Sequence, residues 1–134
     1  MRIILLLHCC FVLLLNCQTA TFQKNSNNQN PDQSFVGTWS GALHNSKSPI
    51  HKSWQITRKS DGCFTKFEIL SIKGRMQKIN RKGTWWIKDG MYYEKYDLDE
   101  LYQIMEYKLL KDHKIQFTSK DDGSVSVESP ELRK

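Results

Sequence analysis

From Phe35 onward, apolar residues recur at every second position of this chain. Trp54 and Ile56 alternate with Ser53, Gln55 and Thr57. Cys63, Thr65, Phe67 and Ile69 alternate with Lys66 and Glu68, and Ile115 and Phe117 with Gln116 and Thr118. A period of two places successive side chains on opposite faces of a strand, so the pattern predicts half-buried antiparallel strands rather than helices. The separators are turn-formers: Ser60-Asp-Gly62, Lys73-Gly74, Lys88-Asp-Gly90, Lys111-Asp-His113 and Asp121-Asp-Gly123. Glycine there accepts a positive φ at little steric cost.

About eight strands follow, near 35–43, 50–58, 63–72, 75–88, 91–96, 101–110, 114–119 and 124–128. Around Leu98 to Leu110, the residues Leu98, Leu101, Met105 and Leu109 also fit helical spacing, but Tyr102, Ile104 and Tyr107 favour a strand. A bend is expected at Gly83, inside the longest strand. Hairpin-length connections give an up-and-down meander, and a meander removes its edges by closing into a small all-β barrel.

The N-terminus differs in kind. Ile3 to Leu15 form an apolar run of 13 residues after Arg2. A membrane-spanning helix needs ~20 apolar residues, so the run has the length of a secretory signal. "LLLNCQT", Leu13 to Thr19, resembles the bacterial lipoprotein signal, with Leu14 three residues before Cys17. Leu15 and Asn16 are larger than that motif usually carries. The resemblance implies a lipidated Cys17 and a membrane-anchored protein of a bacterial envelope. Ordinary cleavage near Thr19 or Ala20, giving a secreted soluble protein, is the alternative. Cys9 and Cys10 would leave with the signal, and a single pair, Cys17 and Cys63, is no disulfide framework. Gln18 to Ser34 are rich in Asn, Gln and Ser, a composition that cannot bury enough surface to order itself. The expected organisation is a signal over 1–16, a tether over 17–34, a barrel over 35–128 and a tail over 129–134.

"FVGTWSG", Phe35 to Gly41, resembles the Gly-x-Trp opening strand of lipocalins, and "KGTWWIKDGMYYEKY", Lys82 to Tyr96, resembles the central hairpin of bacterial lipocalin-like domains. The resemblance implies structural roles for Gly37 and Trp39, with the tryptophan packed across the closed end of the barrel. Two parts of the classical pattern differ: the Thr-Asp-Tyr signature is absent, and Arg133 is the only candidate for the arginine that partners the tryptophan.

An eight-stranded barrel is filled by side chains or holds one small ligand. The expected lining is Trp54, Ile56, Phe67, Ile69, Trp85, Ile87, Met105, Tyr107 and Phe117. It suits a small apolar or amphiphilic molecule. The alternative is a solid barrel that binds a protein partner through outward aromatics and a basic face. Trp85 and Trp86 are strand neighbours, so one of them points outward. Between Ser34 and Lys88 there are 11 Lys/Arg and two acids, including the run Lys73, Arg75, Lys78, Arg81 and Lys82. Such a face attracts anionic partners or guards a sheet edge. With an export signal and no binding motif, nucleic acid is not the expected partner.

Catalytic signals are sparse. His44 and His51 flank the first hairpin loop but fall short of the three or four ligands of a zinc site. Asp97, Asp99 and Glu100 lack calcium-loop spacing. Cys63 reads as a small core residue. No phosphate loop or nucleophile elbow is present, so the expected function is binding, with no catalytic residues, metal or cofactor.

Overall fold

A computed structural model describes residues 32–44 and 49–131. The signal segment, Cys17, most of the tether and Arg133 lie outside the described residues. Eight strands, β1 (Gly37–His44), β2 (Ile50–Arg58), β3 (Cys63–Ile72), β4 (Arg75–Lys88), β5 (Met91–Tyr96), β6 (Gln103–Leu109), β7 (Ile115–Ser119) and β8 (Val125–Pro130), follow one another around a closed antiparallel barrel. Ladders between β8 and β1, such as Trp39↔Pro130 and Ala42↔Val127, close it. The all-β meander read from the alternation is the observed fold. The segment around Leu98 is a turn leading into strand β6, not a helix.

Local chemistry explains the connections. Lys73-Gly74 and Asp89-Gly90 each join two strands with positive φ at both residues, the geometry whose twist matches flanking strands. Asp32 caps a short 3-10 turn, Gln33–Phe35, by accepting from the Ser34 amide. That turn occupies positions where the alternation suggested the start of β1. Gly37 follows at φ +134°, a conformation that disfavours any side chain, and swings the chain into β1. At Gly83 the Lys95 carbonyl and the Phe64 ring occupy the space a Cβ would need. The glycine therefore allows β4, β5 and Phe64 to pack closely.

The 3-10 turn plugs one end of the barrel. Phe35 is fully buried, edge-on to Tyr107 at 5.0 Å and stacked on Tyr92 at 5.9 Å, with Trp85 and Phe117 completing its surroundings. Trp39 Nε1 donates to the Phe35 carbonyl at 3.0 Å and so ties the plug to β1. Ile56, Phe64 and Ile115 complete an apolar core at this end. Among the described residues, the connections 73–74, 97–102 and 120–124 lie at the opposite end.

Candidate functional site

Above the apolar plug the interior of the barrel is ionic. The side chains that β2 turns inward are Lys52, Trp54, Ile56 and Arg58, and those of β3 are Phe64, Lys66 and Glu68. Strand β5 adds Tyr92, Glu94 and Tyr96, and β8 adds Glu128. The contacts form one chain. Trp54 Nε1 donates to Glu128 Oε1 at 2.8 Å. Arg58 grips Glu128 with both terminal nitrogens, at 2.7 and 3.2 Å, and donates from Nε to Tyr92 Oη at 2.8 Å. Tyr92 donates to Glu94 Oε2 at 3.0 Å, and Lys66 Nζ donates to Glu94 Oε1 at 2.8 Å. Lys66 also reaches Tyr96 Oη at 3.2 Å. Glu68 ends the chain, 3.8 Å from Lys66 Nζ and accepting from Arg81 Nε at 3.0 Å. Its other oxygen lies 2.8 Å from Lys52 Nζ in a salt bridge.

Burying charges is costly unless each is paired and hydrogen-bonded. Here every fully buried charge has a partner from a non-adjacent part of the chain. The Arg58 guanidinium is further held over the rings of Tyr92, at 4.9 Å, and Phe117, at 5.5 Å. Burial disfavours its charge, but Tyr92, Glu128 and Glu94 outweigh that and raise its pKa. Burial pushes the Glu94 carboxyl up, and the fields of Lys66 and Arg58 more than reverse this, holding it at about 2. Glu68 is also lowered, with Lys52, Lys66 and Arg81 overcoming its desolvation. Tyr92 and Tyr96 are raised, chiefly by burial and then by the carboxylate field of Glu94.

The stability of the barrel therefore depends on pH in a definite sense. Glu94 has a lower pKa folded than its ordinary value of 4.5, so its contribution is complete above that value and disappears as pH falls towards about 2. The phenols act oppositely: their contribution is complete below about 10 and declines as pH rises beyond it. Urea midpoints measured from pH 7 to pH 2 should fall below about pH 4.5, and Glu94→Gln should flatten that limb while lowering the midpoint at neutral pH. An acid limb of unchanged slope in Glu94→Gln would contradict the assignment.

Between this network and the open end lies a cavity of about 290 Å³. Lys52, Arg58, Lys66, Glu94 and Glu128 form its polar walls; Trp54, Met105, Phe117 and Leu43 supply apolar surface. The Trp54 indole lies over Gly41, where a Cβ would meet its ring at 2.6 Å. Inward Ser126 and the loop residues Asp121 and Asp122 reach the cavity from β8 and the preceding turn.

Of the nine residues expected to line a pocket, three, Trp54, Met105 and Phe117, border this cavity. Ile56 and Trp85 are buried in the apolar core below it, and Ile87 and Tyr107 pack against that core. Phe67 is 37% exposed, and Ile69, two residues further along β3, shares its outward face. In β3 the inward set is Phe64, Lys66 and Glu68, the opposite phase from the expected Phe67 and Ile69. A one-residue change of phase exchanges the faces of a strand. In β3 the pattern alone gives no sign of this polar wall, because charged residues on a strand ordinarily face solvent. A usable signal was present in β2, where Arg58 continues the Trp54–Ile56 face.

Trp85 faces the interior, and Trp86 lies outside, stacked on Tyr93 at 5.2 Å and edge-on to Tyr102. His44 and His51 are opposite each other in the β1–β2 ladder. Among the described residues no group of three or more His, Cys, Asp or Glu is placed to hold a metal ion. The closed eight-stranded barrel is compatible with the lipocalin-like fold. Neither a protein-family model nor a curated protein matches the chain.

Proposed function

We propose that this protein is a lipocalin-like binding domain that holds a small amphiphilic molecule at the open end of its barrel, without covalent chemistry. The cavity of about 290 Å³ carries this reading, because it joins apolar walls to buried, already paired charges. Its volume is at the lower edge of the range for ligand sites, which points to a small ligand. The apolar part of the ligand meets Trp54, Met105 and Phe117. Its polar group meets Lys52, which is 29% exposed and paired with Glu68 from one side. The leucine–cysteine spacing at Leu14 and Cys17 supports export and lipid anchoring at Cys17 in a bacterial envelope. Mass spectrometry of the mature chain tests the anchor: a diacylglycerol adduct at Cys17 is expected, and a chain starting near Thr19 removes it from the proposal.

The binding test uses the purified chain and a compact amphiphilic fluorophore, an anilinonaphthalene sulfonate. Micromolar binding is expected, and Ser126→Trp, which fills the cavity from β8, should abolish it while the melting curve stays cooperative. Trp86→Ala should leave it intact. A second reading, a protein-interaction module that uses the outer wall, rests on the Trp86–Tyr93–Tyr102 cluster. Binding that survives Ser126→Trp but disappears in Trp86→Ala would favour that reading.

A further inference from the structure

The barrel is not paired equally along all its strands. β3 and β4 pair from Cys63↔Thr84 up to Ile72↔Arg75, whereas the β4–β5 ladder stops at Gly83↔Tyr96. The first half of β4 therefore rises beside no partner on its β5 side among the described residues. Antiparallel ladders use alternate residues for each neighbour. Lys82 directs its carbonyl towards β5, where it accepts from the Asp97 amide at 3.0 Å. By the same alternation Met76, Lys78 and Asn80 present their N–H and C=O groups along the open edge.

We infer that this edge of β4 is a docking site for an acidic, extended segment of a partner protein, which adds as one further strand. An open edge is a template for pairing. Its chemistry selects the partner. β4 carries five basic residues and no acid, and residues 75–82 are exposed apart from Ile79. An added strand would alternate its side chains between the outer face, with Lys78 and Lys82, and the inner face, with Arg75 and Arg81; opposite charges across a strand pair stabilise it. The chain itself supplies a precedent. The residue that continues the ladder beyond β5 is an aspartate, and its carboxylate lies 3.7 Å from Lys82 Nζ.

Other occupants fit less well. A second copy pairing through the same edge would oppose basic residues to basic residues, which is unfavourable. The stretch of the tether before the Asp32 cap, QTATFQKNSNNQNP over 18–31, contains a lysine and no acid. An anionic membrane would use the charges but not the backbone groups.

The test is a titration of the isotope-labelled full chain with a short peptide of alternating glutamate and valine. The amides of Met76, Lys78 and Asn80 should exchange at least ~10-fold more slowly in its presence. Lys78→Pro removes one edge donor at a position where an edge strand tolerates proline, and should weaken binding ~10-fold or more with the barrel still folded. The same peptide N-methylated at alternate residues should also fail on the unaltered protein, which keeps the test independent of the variant. Absence of binding would overturn the proposal. So would binding unaffected by N-methylation, which is attraction by charge alone as at a membrane. Equal binding of a lysine–valine peptide, or protection of the same amides by self-association without peptide, would overturn it as well.

Discussion

Arg58→Ala is expected to lower the stability of the barrel by about 3–5 kcal/mol, the range for removing one partner of a buried ion pair. The guanidinium is 1% exposed and holds Glu128, itself 3% exposed, by two hydrogen bonds. Without it, Glu128 keeps only the Trp54 indole among these donors, and the Tyr92 hydroxyl loses its donor. A buried carboxylate left in that position is the main cost, more than the loss of attraction itself. The second substitution identifies the mechanism. In Arg58→Met with Glu128→Leu no charge is stranded, so the double variant should be more stable than the sum of the single losses implies. Urea unfolding of the parent, Arg58→Met, Glu128→Leu and the double variant measures this cycle. Additive losses would show that the two side chains act independently, and an Arg58→Ala change within ~0.5 kcal/mol would place the residue among ordinary surface positions.

Trp39→Ala should be comparably severe, at about 3–5 kcal/mol for truncation of a buried tryptophan. The indole is 6% exposed and also holds the plug, through its bond to the Phe35 carbonyl. Its loss leaves a void at the closed end and frees the turn that carries Phe35. Trp39→Phe separates the two effects: it restores most of the ring but not the donor, so only the hydrogen-bond part, ~1 kcal/mol, should remain lost. Thermal unfolding gives both values. A domain of this size has roughly 5–15 kcal/mol in total, so Trp39→Ala should also shift the melting midpoint clearly. A midpoint unchanged from the parent protein would mean that the indole does not support the closed end.

The loss of stability in acid, the probe test and the peptide titration address different parts of the molecule. The first two report on the ionic interior and its cavity, the third on an outer edge. Arg58→Ala should weaken probe binding along with stability, whereas Lys78→Pro should leave the probe site intact.

The strands themselves were legible in the chain because their causes are local. Alternation with period two, and glycine after Lys73 and Asp89 where φ is positive, act between neighbouring residues. The ranges 50–58, 63–72, 75–88 and 91–96 accordingly coincide with β2 to β5. At the start of β1 the cap at Asp32 and the φ of Gly37 displaced the boundary by two residues, to Gly37. The site was less legible, since the same alternation is compatible with either face of a strand being inside. In β3 one face offers Thr65, Phe67 and Ile69, and the other Phe64, Lys66 and Glu68; hydrophobicity alone favours the first. The barrel buries the second. Lys66 finds Glu94 and Tyr96 on β5, Glu68 finds Lys52 on β2 and Arg81 on β4, and Arg58 finds Glu128 on β8. A buried charge is tolerable only beside such partners, and closure of the barrel brings them together from distant positions of the chain.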